Sequence, residues 1–139
     1  MTAALVPLTG VAKLAAVAVT YVRDTPAPEP CYLALNPGSH AVEIQPDVRQ
    51  ATPVTVLGTL LVWTHRLTGI NGDWWHTPGG ELHITLTGRG PSGVRFLVYS
   101  SFPYRVARRH VALAAGARES VTPDELYRLA LELRKGHTK

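Results

Sequence analysis

Six histidines stand in this chain of 139 residues, His40, His65, His76, His83, His110 and His137, and they are the first side chains to test for chemistry. None lies at a metal-ligand spacing from a carboxylate or from Cys31, the sole cysteine. His76 and His83 come nearest to a polar site, because Asp73 and Glu81 flank them. The chemistry such residues offer is a general base at His76 oriented by Asp73, or a cation held at the surface. A plainer reading puts His83 on the outer face of a strand and lets His76 satisfy a loop. It carries more weight, since a working site needs convergent partners that the sequence does not display.

Other reactive patterns are excluded more firmly. Ser39, Ser92, Ser100, Ser101 and Ser120 lack the Gly-x-Ser-x-Gly elbow of a serine nucleophile. Gly88-Arg89-Gly90-Pro91-Ser92-Gly93 is glycine-rich, but no Lys-Ser/Thr follows it and a strand comes next, so it is no phosphate loop. One cysteine rules out an intramolecular disulfide and a thiolate cluster. At the head of an apolar run, Cys31 reads as a small buried hydrophobe. No metal or cofactor is implied.

Trp74-Trp75 is the most unusual local feature. Adjacent aromatics are favoured at interfaces, where one ring anchors a partner, yet a tryptophan at the edge of a sheet also plugs a core. One ring in and one ring out is the natural compromise, and the pair is the expected partner-binding element.

Charge is distributed unevenly. From Met1 to Ser100 acids and bases cancel, so the formal net charge of +4 lies wholly beyond Ser100. Arg105, Arg108, Arg109, Arg134 and Lys135 are there the candidate nucleic-acid-binding residues. The duller alternative has Arg134 and Lys135 complement a helix C-terminus and Arg128 pair with Glu132 four residues on. Asp124 and Glu125, at the start of the last helix, oppose its use as a recognition helix.

Those residues need elements to hold them. A length of 139 residues suits one domain, spanning 1–139, and the 45% hydrophobic content supports an ordinary core. Apolar spacing predicts a helix over Gly10–Arg23, capped by Thr9 and ended by the proline-rich run after Asp24. Strands are expected at Cys31–Asn36 and His40–Gln45, joined by the turn Pro37-Gly38-Ser39 with glycine at positive φ. Thr52–Thr68 suits a strand or a helix, and its length together with Thr52-Pro53 favours a helix.

Ile70–Gly80 reads as a loop, and Glu81–Thr87 with Val94–Ser101 as a second hairpin. Pro103–Gly116 reads as a short basic helix. Thr122-Pro123-Asp124-Glu125 then opens a final helix that Gly136 ends. Residues 103–139 would thus form a basic helical C-terminal extension of the same domain. The expected fold is α+β, a four-stranded antiparallel sheet from two hairpins with helices on one face, in the order α-β-β-α-β-β-α-α.

Gly80-Glu81-Leu82-His83-Ile84-Thr85-Leu86-Thr87, the amphipathic first helix and the proline-containing link together resemble small uncharacterised proteins of mobile elements in high-GC actinobacteria. The likeness covers roughly Leu8 to Phe102. It implies an α-β-β-α-β-β core and brings no activity or site residues with it.

Three functional readings follow, in order. The first is a non-catalytic regulatory or accessory module that binds a protein partner, or a second copy of itself, through sheet edges and Trp74-Trp75. The second is a nucleic-acid-binding accessory factor using the basic C-terminal residues. The third is a small enzyme built on Asp73, His76 and His83. No run approaches the roughly 18–20 apolar residues of a membrane span, and no basic segment precedes the alanine-rich start, so a cytoplasmic location is expected.

Overall fold

A computed structural model describes residues 5–47 and 52–137, with the side chains of 5–9 and 137 left aside. Three helices and six strands follow one another along it: α1 (Leu5–Asp24), β1 (Tyr32–Asn36), β2 (Ala41–Gln45), α2 (Pro53–Thr64), β3 (Thr68–His76), β4 (Glu81–Arg89), β5 (Arg95–Pro103), β6 (Arg118–Val121) and α3 (Pro123–His137).

The α+β class stands, but the four-stranded antiparallel sheet is corrected to a six-stranded mixed one in the order β1-β2-β5-β4-β3-β6. Strands β2 and β5 run parallel, Val42 beside Phe96 and Ile44 beside Val98, and all other pairs are antiparallel. This parallel seam joins the two hairpins into one sheet. The expected loop Ile70–Gly80 is largely β3, which pairs with β4 on one side and β6 on the other. Its Gly, Asn and Asp content argues against a strand, yet two neighbours satisfy its backbone and outweigh weak propensity. At Gly72 an added Cβ would stand 2.5 Å from Leu86 Cδ2 and 2.7 Å from the Val121 carbonyl, so only glycine fits between the flanking strands.

The second correction concerns Pro103–Gly116. No α-helix forms there; β5 runs to Pro103, a 3-10 turn covers Tyr104–Val106, and hydrogen-bonded turns follow. Of the C-terminal third, Pro123–His137 is helical as expected and 103–116 is not. Through Ala107, Val111, Leu113, Val121, Leu126 and Leu129 this third supplies part of the core.

Helix ends obey local chemistry. At α2 the Thr52 hydroxyl accepts from the Thr55 N–H at 3.2 Å, with Pro53 in the first turn. At α3 Thr122 and Glu125 exchange backbone-to-side-chain bonds of 2.9 and 3.1 Å, a complete capping box. Helix α1 begins upstream of Gly10, so Thr9 lies inside it rather than capping it. In the turn after β1, positive φ falls on His40, not Gly38, while Asn36 Oδ1 accepts from the Ser39 N–H at 3.2 Å.

The core lies between the helices and one face of the sheet. Leu82, Ile84 and Leu86 of β4, Phe96 and Val98 of β5, and Val42 and Ile44 of β2 meet Leu14 and Tyr21 of α1 and Leu57, Leu60 and Trp63 of α2. The Tyr21 ring lies 4.3 Å from that of Phe96, and its hydroxyl donates to the Trp63 carbonyl. Burial raises the Tyr21 pKa, against the lowering effect of Arg66.

Candidate anion-binding groove

Three separate stretches meet at one end of this scaffold. The start of α2, the segment after β5 and the last turns of α3 enclose a groove of about 820 Å³. Its floor is apolar: Pro53, Val54, Val106 and Leu133 line it and are all half-buried. Exposed around them stand Arg105, Arg108, Arg109 and Arg134, with His110 and a single carboxylate, Glu132.

Four of the five expected nucleic-acid-binding residues are thus brought together, from positions 29 residues apart at the extremes (134 less 105). Lys135 lies beside them on α3, where its ammonium stands 3.6 Å from Glu132 Oε1. Among the described residues none of the four arginines forms an ion pair or side-chain hydrogen bond. Elsewhere in the molecule guanidiniums do find partners: Arg118 meets Asp73 at 2.9 Å and Arg128 meets Asp124 at 2.8 Å. The expected Arg128–Glu132 pair is therefore corrected. Arg128 turns back to Asp124, and Glu132 goes to Lys135.

Burial and hydrogen bonding hold the arginine-bearing segment in place. Ala107, Val111 and Leu113 are buried, while Arg105, Arg108 and Arg109 between and before them are exposed. The Tyr104 hydroxyl donates to the Val111 carbonyl and accepts from the Leu113 N–H at 3.1 Å. His76 Nδ1 donates to the Leu113 carbonyl at 2.8 Å, and its ring stacks on Tyr104. Helix α2 presents its N-terminal end to the same groove and α3 its C-terminal end, so the two helix dipoles oppose each other there and the positive potential comes from the arginines.

The expected polar site is divided by strand alternation. Asp73 and Trp75 sit opposite Thr85 and His83 on the outer face of the sheet, whereas His76 sits opposite the buried Leu82. Asp73 therefore cannot orient His76, and it is engaged by Arg118. His76 lines instead a second concavity of about 540 Å³ with Glu81, Arg105 and Arg108. His83 stacks on Tyr99 with centroids 5.7 Å apart and meets Trp75 edge-on at 6.3 Å. Burial lowers its pKa, Arg118 adds to the lowering, and Asp73 opposes both.

The two tryptophans part company as alternation requires. Trp74 is 9% exposed and packs in the core. Trp75 is half-buried on the outer face, under the Arg118 guanidinium at 5.0 Å from its ring. Cys31 is exposed, not buried, with Sγ 3.5 Å from the Gln45 carbonyl. Among the described residues no three of His, Cys, Asp and Glu gather as a metal site, and no helix is long and apolar enough to cross a membrane.

The groove's floor was not readable in the sequence. Val54, Val106 and Leu133 carry ordinary apolar signals, and nothing local says that they share one surface.

Comparison with protein-family models, with curated proteins and with solved structures gave no match. The functional reading rests on the chain's own geometry.

Proposed function

We propose that this chain is a non-catalytic accessory module that binds nucleic acid through the arginine groove. One observation carries the reading: four exposed guanidiniums with no acidic partner among the described residues line a single concavity. Leaving so many cations unpaired and close together is unfavourable in the free protein. A phosphate backbone would relieve it, and guanidinium matches phosphate in bidentate geometry. The acids Asp124 and Glu125 open α3, more than two turns before Arg134, and so do not oppose binding at the groove.

Retention of a labelled oligonucleotide across a salt series tests this. Binding should weaken with a log–log slope of about −3 to −4, as four neutralised phosphates require, and Arg109→Ala should reduce the slope by about one. Absence of retention at low salt sinks the reading.

A second reading concerns self-association, favoured by the free edge at β1. Among the described residues nothing pairs with its outer side. Tyr32 and Leu33 are exposed there, Val19 of α1 beside them is 61% exposed, and no charged side chain lies in the strand. Such an edge invites an antiparallel copy of itself across a two-fold axis. Light scattering after size exclusion should give a dimer that Leu33→Lys converts to monomer; a wild-type monomer at high concentration removes this reading.

A further inference from the structure

Phosphate contacts explain the rim of the groove but not its floor. A phosphate gains nothing from Pro53, Val54, Val106 and Leu133, whose half-buried side chains form the bottom of a space of about 820 Å³. That volume falls within the roughly 300–1,000 Å³ of sites that enclose small organic molecules, and an apolar lining with a few polar groups at the margin is what such sites share. A duplex would fit it poorly. Its bases are stacked inside, its surface is convex, and its phosphates follow a cylinder, whereas these guanidiniums surround a hollow. Glu132 also stands on the rim, where it would repel a bare polyphosphate. Against a base it has a use, because exocyclic amino groups are donors that a carboxylate accepts.

Resting on the nucleic-acid reading above, we infer that the groove seats one unpaired nucleotide of a single strand. The base lies on the Val54–Val106–Leu133 floor and the flanking phosphates lie on Arg105, Arg108, Arg109 and Arg134. The imidazole of His110, exposed at the rim, offers a flat surface for the base edge or the next base. Single-strand binders elsewhere combine a cationic track with aromatic side chains on which a base stacks; here the floor is aliphatic and His110 supplies the aromatic ring.

The test uses the full chain and three probes: a mixed-sequence 12-base single strand, linear inorganic polyphosphate of the same phosphate number, and the same sequence as a blunt duplex, whose affinity is expressed per strand. The single strand should bind about ten-fold more tightly than the duplex, the change expected of one accommodated base. Val106→Ser and Leu133→Gln should each erase that preference while leaving polyphosphate affinity within about two-fold, since no charge is removed. If far-ultraviolet circular dichroism shows either variant unfolded, the wild-type ratio of single strand to duplex decides alone. A duplex bound as tightly as the single strand, or floor variants that keep the preference, overturns the seated base and leaves the arginine reading standing. Failure of all three probes overturns both. Adenosine monophosphate displacing the oligonucleotide at equal concentration overturns the strand as the source and leaves a free nucleotide.

Discussion

The ring of His76 lies face to face on that of Tyr104, centroids 3.8 Å apart and planes inclined by 19°, and both side chains hydrogen-bond to Leu113. Through this pair the last residue of β3 grips the segment that carries Arg105, Arg108 and Arg109. The arginines are therefore presented from a fixed turn and not from a mobile loop, which lowers the ordering cost of binding.

Removing the Tyr104 hydroxyl tests that grip. Tyr104→Phe keeps the ring stack but leaves the Val111 carbonyl and Leu113 N–H without their partner. Stability should fall by about 1–2 kcal/mol in a urea titration. Oligonucleotide affinity should fall as well, although no charge has changed. Unaltered affinity with reduced stability would show that the segment needs no such support.

The tryptophans should separate in equilibrium unfolding. Trp74→Ala empties core volume and should cost about 3–5 kcal/mol. Trp74→Phe should cost far less, because the buried Nε1 has no hydrogen-bond partner to lose among the described residues. At Trp75, the loss of the Arg118 cation–π contact at a half-buried site should cost about 1 kcal/mol. Equal costs for Trp74→Ala and Trp75→Ala would contradict the alternation of β3.

His83 gives the fold a pH dependence of known sign. Its folded pKa lies below the ordinary histidine value of 6.5. The unfolded chain therefore binds the proton more readily. The contribution of neutral His83 is complete above about pH 6.5 and is lost as the pH falls towards the lowered value. Thermal melts between pH 7.5 and 5 should show the wild type losing more stability than His83→Gln. Parallel curves would mean that His83 titrates normally.

Two arginines of α3 should behave differently. Arg128 is engaged by Asp124, and both are exposed, so Arg128→Ala should leave stability and affinity almost unchanged at moderate salt. Arg134 faces the groove unpaired, and Arg134→Ala should weaken oligonucleotide binding several-fold in the same assay. Equal losses would point to diffuse charge, not a site.

Gly72→Ala probes the crowding between β3, β4 and β6. The new methyl would press on Leu86 and on the Val121 carbonyl, and backbone cannot move aside as a side-chain tip does. A loss of about 1–3 kcal/mol is expected by chemical denaturation.

Several parts of this protein were determined by sequence alone, and each depends on neighbours within a few residues. Thr52-Pro53 starts α2 and Thr122 with Glu125 starts α3 because caps satisfy backbone groups one turn away. Leu82, Ile84 and Leu86 reveal a strand with one buried face through alternation. The charge excess beyond Ser100 is a count that needs no structure.

Tertiary structure decided the rest, because the deciding partners are distant in the chain. Thr68–His76 is a strand since β4 and β6 hydrogen-bond it from both sides, and its own composition argues otherwise. Strands β2 and β5 lie side by side although residues 46–94 intervene, so the hairpins merge into one mixed sheet. The residues after Pro103 avoid a helix because Tyr104 and His76 tie them to Leu113. Only that folding brings Val54, Val106 and Leu133 under four arginines, and a groove made from three separate stretches has no local signature.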